Sequence, residues 1–326
     1  MFAARLIAVS LSFFVLLYSG LSLTASCLWE RVWLHLQSHR HRYPAHRSAN
    51  FLFGLRVLPL LLSTAVTVAV TVPSFVLFEP RSVDEPIGIA ALLLGCCGLM
   101  LGALGAWNAG RALKVASRAI TVWLREATLV DLRGKVPVVR ISPVIPALTA
   151  AGILRPRILM SGAAEFLLTE KELQTALRHE LAHVRRRDNL KKLLLRLVAF
   201  PGMAGLEKAW LEASELAADD AAVFSASEAL DLAAALIKLS RLAPVEAQVD
   251  LMTALVHSPT VAMNARVERL IAWSEWRRVP STRENSSWFT VSWFTACTTL
   301  VVGATFVLTY RQLLVGVHAA TEWLVR

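Results

Sequence analysis

Apolar residues fall in four long blocks, three ahead of a polar middle and one after it. Leu6 to Trp29 is uncharged and long enough to cross a bilayer. Val57 to Phe78 forms a second span, interrupted by Pro59 and Pro73. Membrane helices tolerate prolines because neighbouring groups can satisfy the freed carbonyls. Ile87 to Trp107 is a third span, rich in small residues, with Gly98 and Gly102 spaced as a GxxxG face that a helix can approach closely. Ser287 to Tyr310 is the fourth, with no charge between Glu284 and Arg311.

The polar connections set the expected topology. Thr24-Ala25-Ser26-Cys27 has the look of a lipoprotein cleavage site, but the arginine-rich segment behind it favours a retained span with a cytoplasmic C-terminal end. That segment, Glu30 to Asn50, holds Arg31, Arg40, Arg42 and Arg47 among His35, His39, His41 and His46. It reads as a basic loop at lipid headgroups rather than a metal site. Pro80 to Pro86, with one arginine and two acids, suits the outside. Arg111, Lys114 and Arg118 then place the polar section on the cytoplasmic face. The chain divides into a membrane region (1–110), a cytoplasmic domain (111–285), and a fourth span with a short external tail (286–326).

Within the polar section the period changes. Val136 to Ile141 and Arg157 to Ser161 read as short strands, separated by a Pro- and Gly-punctuated stretch. Thr169 to Asn189 reads as a helix: Thr169 and Glu172 form a capping box, and Leu173, Leu177 and Leu181 make an apolar stripe. After a break at Pro201-Gly202, Leu206 to Leu242 reads as a helical run. Arg157 to Ser161 is also expected to hold an extended peptide as an added strand, if it lies at a sheet edge.

Composition agrees with a membrane protein. Of 326 residues 56% are hydrophobic and only 18% charged, with mean hydropathy +0.53. Cys27, Cys96, Cys97 and Cys297 lie in or beside apolar stretches and support neither a disulfide framework nor a thiolate metal site. The formal charge of +10 is explained by basic loops beside the spans, so no direct nucleic-acid contact is expected. The cluster Arg185, Arg186, Arg187, Lys191, Lys192 and Arg196 interleaves with leucines and is expected to lie against anionic lipid.

The helix from Thr169 carries the chemistry. His179 and His183 are four apart, hence on one face, with Glu180 beside the first. Two imidazoles so placed can hold one zinc ion (Zn2+), and the glutamate can reach a water on it. Catalytic zinc takes three protein ligands, and ligating histidines donate their second N–H to a carboxylate. Glu215 and Asp219, four apart in SELAADDAAV, supply a ligand and such a partner; Glu212 and Asp220 compete with them. Two histidines that merely pack on a helix are the competing reading. The expected fold is an α-helical membrane protein of four transmembrane helices, with an α+β, mostly helical, zincin-type (gluzincin) metallopeptidase domain inserted between spans three and four.

HELAHVRRRDNL, the later SELAADDAAV and the placing of a metallopeptidase domain between a third and fourth span resemble the membrane-bound antirepressor peptidases, the transmembrane metalloproteases of bacterial beta-lactam signalling. The resemblance covers nearly the whole chain. It implies His179, His183 and Glu215 as ligands, Glu180 as catalytic base, Asp219 as carboxylate partner and Asp188 in a structural role. His257 and Arg266 become candidates to steady the oxyanion, set against a reading as ordinary helix-surface residues. Gly152 to Ser161 resembles the family's stretch before the zinc helix, with Ser161 where proline is more usual.

The same resemblance implies a function: a zinc endopeptidase of the bacterial inner membrane, acting on a protein substrate such as a transcriptional repressor. Receptors of this family carry a large extracellular penicillin-binding domain after the last span, whereas about sixteen residues follow Tyr310 here. Sensing is therefore expected from the spans, the tail, a separate sensor protein or a homodimer. The alternatives are a quality-control or maturation peptidase for membrane proteins, and a scaffold with a vestigial zinc site.

Overall fold

The computed structural model describes residues 2–38, 45–79, 87–125, 127–130, 136–141, 147–198, 200–241, 253–254, 260–276 and 309–322. The chain forms two compact units. One comprises Met1–Thr24, Leu58–Ala103 and Ser281–Arg326; the other comprises Ala25–Val57 and Leu104–Pro280.

Among the described residues three helical stretches are long and apolar enough to cross a membrane: Phe2–Trp29, Ala45–Phe78 and Ile89–Trp123. The helices outrun the expected spans. Helix α1 (Phe2–Ser38) has 37 residues, or roughly 55 Å at 1.5 Å per residue, against a hydrocarbon core of about 30 Å. Helix α2 (Ala45–Val66) leads through a π-helical segment, Thr67–Thr71, into α3 (Val72–Phe78), and α4 runs from Ile89 to Trp123.

The expected loop from Glu30 to Asn50 is therefore largely helical at both ends, with 39–44 outside the described residues. Charge ends an apolar span but not a helix. No proline or glycine interrupts the chain between Glu30 and Ser38, and Pro44 directly precedes α2. The same holds for Arg111 to Trp123, which continues α4 past the expected end of the third span. Pro80 to Pro86 and nearly all of the expected fourth span lie outside the described residues. Residues 309–322, expected as part of that span's end and an external tail, are helical.

In the first unit, contacts run through small residues and hydroxyls. A Cβ at Gly98 would stand 2.9 Å from Val15, and one at Gly95 would stand 3.5 Å from the Ala8 carbonyl oxygen, whereas Gly102 faces open space. The close helix approach thus uses Gly95 and Gly98, one turn earlier than the GxxxG spacing suggests. Ser12 Oγ reaches the Ala91 carbonyl at 2.7 Å. Pro73 removes the donor that would bond the Ala69 carbonyl in an α-helix. Tyr310 Oη donates to that carbonyl instead, at 2.7 Å, and Ser74 Oγ donates to the Leu314 carbonyl at 2.7 Å.

Among the described residues of the second unit, five strands form one sheet in the order β1-β2-β4-β3-β5: Thr128–Val130, Val138–Ile141, Arg157–Ser161, Leu148–Ala151 and Thr253–Ala254. β2 and β4 run parallel, and the other pairs are antiparallel. The strand expected at Arg157–Ser161 is therefore interior. It pairs Ile158 to Val138 on one side and to Ala150 on the other, and cannot take a peptide at its edge. One sheet face packs Val138, Leu148, Ile158 and Met160 against helices α6 (Glu170–Arg186) and α9 (Ala226–Ser240), using Ala176, Leu232 and Leu236. The other packs Val139, Ile141, Ala151 and Leu159 against the end of α4 through Ala119, Ile120 and Trp123.

The remaining helices are α5 (Gly162–Leu167), α7 (Asp188–Leu197), α8 (Ala204–Ala222) and α10 (Thr260–Trp276). Two long helical readings are each broken once. Arg187 adopts φ 54° and separates α6 from α7. Ser225 and Glu228 form a second capping box that opens α9 and divides the run expected from Leu206 to Leu242.

Candidate metal centre

Helix α6 begins where the capping box places it. The Glu172 carboxylate accepts from the Thr169 N–H at 2.8 Å, and Lys238 Nζ holds the same oxygen at 2.7 Å. Three turns on, His179, Glu180 and His183 are fully buried on the face turned toward α8 and β3. From α8 come Glu215 and Asp219, also buried and one turn apart.

His179, His183 and Glu215 form a group that could hold a metal ion. The Nε2 atoms of the two histidines lie 3.2 Å apart, and the Glu215 oxygens lie 3.6 Å from His179 Nε2 and 3.5 Å from His183 Nε2. Each imidazole thus turns Nε2 to a common centre and Nδ1 to a carboxylate. His179 Nδ1 is 3.0 Å from Asp219 Oδ1, and His183 Nδ1 is 2.8 Å from Asp188 Oδ2. Such partners fix ring orientation and tautomer. Asp188 reaches back to His183 because the left-handed turn at Arg187 reverses the chain, and Arg186 and Lys191 lie 3.5 and 3.6 Å from its oxygens.

Glu180 stands beside this group with its two oxygens in different circumstances. Oε2 accepts from the Ala150 N–H on β3 at 2.7 Å, while Oε1 is buried without a hydrogen-bond partner among the described residues. Glu212 takes no part in the cluster, and Asp220 turns away to Arg269 at 2.6 Å.

Arg266, on α10, is buried and so is no surface residue. Its Nε and Nη2 donate to the two Asp219 oxygens at 2.9 and 2.6 Å, and Nη1 lies 3.0 Å from Glu215 Oε2. All three guanidinium nitrogens therefore face carboxylates. His257 lies outside the described residues. Asn189 gives no signal in the sequence although it adjoins Asp188: its Nδ2 donates to the carbonyls of Ala150 and Gly152 at 3.0 and 3.2 Å, tying α7 to the strand that holds Glu180. Only the sheet pairing reveals that contact, since 39 residues separate the partners.

Burial and charge shape the protonation of these groups. Burial pushes Glu180 up to about 8, against the pull of His179. Burial also opposes charge on Glu215 and Asp219, but His183 with Arg266 for the first, and Arg266 with His179 for the second, hold both well below the carboxylate range. Burial disfavours imidazolium at both histidines. Asp219 and Glu215 overcome it at His179, which rises to about 9, whereas His183 stays below its ordinary value. Glu215 is thus an anion ready to accept a cation, and a cation there would compete with the proton on His179.

The comparison with curated proteins returns no match. The family model described as BlaR1 peptidase M56 matches residues 87–270, from the start of the third apolar stretch to beyond Arg266. That match spans more than half of the chain and contains every residue of the cluster, and the chain therefore belongs to the BlaR1 peptidase M56 family.

Proposed function

We propose that the chain is a membrane-anchored zinc endopeptidase of the bacterial inner membrane whose site faces the cytoplasm and cleaves a protein substrate, in the manner of an antirepressor acting on a transcriptional repressor. The reading rests on one observation above others: Glu180 has one oxygen fixed by the Ala150 N–H and the other without a hydrogen-bond partner among the described residues, beside a three-donor group.

The donor set fits zinc. A tetrahedral ion bound at about 2.0–2.1 Å requires its imidazole nitrogens roughly 3.3–3.4 Å apart, and His179 and His183 present theirs at 3.2 Å. His179, His183 and Glu215 would hold the ion, with Asp219 and Asp188 orienting the two rings. When bound, zinc supplies a Lewis acid that polarises the scissile carbonyl and acidifies water. Glu180 Oε1 takes the proton of the attacking water and delivers it to the leaving amine. Arg266 keeps Glu215 and Asp219 charged and aligned, a positioning role in place of contact with the oxyanion.

The test is Glu180→Gln. Purified variant protein should keep one zinc per chain and lose peptide hydrolysis by about 10²-fold or more, the scale of a lost acid–base group. Loss of zinc, or retained hydrolysis, would sink the assignment. Comparing the proteomes of cells carrying either form then identifies the substrate by the fragments that disappear.

A further inference from the structure

The hairpin between β3 and β4 makes a contact that the peptidase reading does not use. Its turn, Gly152 to Pro156, is tight: Gly152 has φ +91°, and a Cβ there would stand 2.8 Å from the Arg155 carbonyl oxygen. At the tip, Leu154 is 94% exposed, and Arg155 beside it is exposed too. The direction of the hairpin can be read along α4. Its base, Ala151 with Leu159 of β4, packs on Ile120 and Trp123. Its tip residue Ile153 packs on Ala112 and Ala116 instead. The hairpin therefore runs back along α4 toward the apolar stretch that ends near Trp107.

Helix α7 converges on the same level. Leu193 joins Ile153 against Ala112 and Ala116, and one turn later the Leu197 carbonyl closes on Gly105 of α4. Leu194 and Leu197 are left exposed there. Ala112 lies five residues beyond Trp107, roughly 7.5 Å along the helix, whereas the headgroup layer is about 5–7 Å deep on each side. Two elements thus bring bare leucines to the stretch of α4 at the outer edge of the headgroup layer. The charged residues of the adjoining segments, Arg111, Lys114 and Arg118 on α4 with Arg155 and Arg157 on the hairpin, are all basic.

We propose that the β3–β4 hairpin tip and the end of α7 form a membrane-contacting surface for anionic phospholipid, with Leu154 entering the headgroup layer and Arg155 and Arg157 meeting lipid phosphates. Exposed leucines flanked by arginines are the composition of an interfacial anchor, in which apolar area and attraction to anionic lipid act together. Because Asn189 ties this hairpin to α7 and Ala150 of β3 holds Glu180, the lipid surface and the site share a strand.

The full chain, with its four cysteines replaced by serine, is reconstituted into vesicles of phosphatidylcholine and phosphatidylglycerol. An environment-sensitive fluorophore is attached at Leu154→Cys, and separately at Phe166→Cys, a site equally exposed at 94% on α5. Lipids carrying a headgroup-proximal nitroxide should quench the label at 154 several-fold more than the label at 166, and Arg155→Gln with Arg157→Gln should weaken that difference. Equal quenching at the two sites would overturn the proposal. Shielding of 154 from both lipid nitroxide and aqueous iodide would do the same, since it would mean a protein covers the tip. Undiminished quenching in phosphatidylcholine alone would overturn the assignment to anionic lipid.

Discussion

The two units bury polar groups in opposite ways. In the unit of the apolar helices, hydroxyls are returned to backbone carbonyls: Ser12 to Ala91, Ser74 to Leu314, Tyr310 to Ala69. These bonds are neutral, short and local in effect, and a buried ion pair such as Arg5 with Glu79 is the exception. In the other unit, imidazoles, carboxylates and a guanidinium are packed together with almost no exposure. Burying such charges costs several kcal/mol each, and only mutual pairing offsets it. The lesson is that helices can be pinned in lipid without any net charge, whereas concentrated buried charge marks the place where chemistry is set up.

The contrast can be broken most severely at Arg266. Arg266→Ala leaves Glu215 and Asp219 without their shared cation and should lower unfolding stability by about 3–5 kcal/mol, as for other half-removed buried pairs. Thermal and denaturant unfolding of the detergent-solubilised chain would measure it, and a loss below about 1 kcal/mol, the scale of an exposed pair, would show that the clamp is incidental. Next comes Asp219→Ala, which removes the partner of His179 Nδ1 while sparing the donors themselves. Zinc affinity should fall by roughly 10–100-fold, read by competition with a chelator, while Glu212→Ala leaves it unchanged.

On the membrane side the effects should be smaller. Tyr310→Phe orphans the Ala69 carbonyl and should cost about 1 kcal/mol, within the range of interhelical hydrogen bonds in membranes. In a Pro73→Ala background, where a backbone donor is restored, the same change should cost less. Smallest is Glu172→Gln, which keeps the helix cap but discards the ion pair with Lys238, for about 0.5 kcal/mol. Burial opposes the Glu172 charge, yet Lys238 and the Thr169 N–H hold its carboxyl below the ordinary value. A depressed carboxyl stabilises fully above its unfolded value of about 4.3, and the contribution is lost as pH falls through the folded value. Wild type and Glu172→Gln should therefore differ at neutral pH and converge in acid.

Local spacing is readable in the chain. His179, Glu180 and His183, the Thr169 cap, and Glu215 with Asp219 are each defined by a separation of four residues or fewer, so one helix geometry decides them. What depends on distant partners is not readable. Leu148–Ala151 is buried throughout and too rich in small residues to alternate, so β3 carries no strand signal. Without β3, the interior place of Arg157–Ser161 cannot be inferred, nor can the Ala150 N–H on Glu180. Arg266 finds Asp219 across 47 residues, which no periodicity encodes. The ends of α1 and α4 escape the pattern for a different reason: a change from apolar to basic residues records where lipid ends, while a charged stretch without proline or glycine can continue the helix.

Trp29 of α1 lies against Gly205 at the head of α8, so closely that no side chain fits there, and the Trp210 ring meets Phe53 of α2 at 6.1 Å. Arg56 of α2 caps the end of α7 through the Val198 carbonyl. Cutting the chain at Arg111 to obtain a water-soluble enzyme would thus strip one wall from α8, the helix that carries Glu215. Anyone seeking a minimal soluble peptidase must carry along residues 25–57 or redesign the surface they cover, because the border of the catalytic body does not follow the border of the segment that holds its motif.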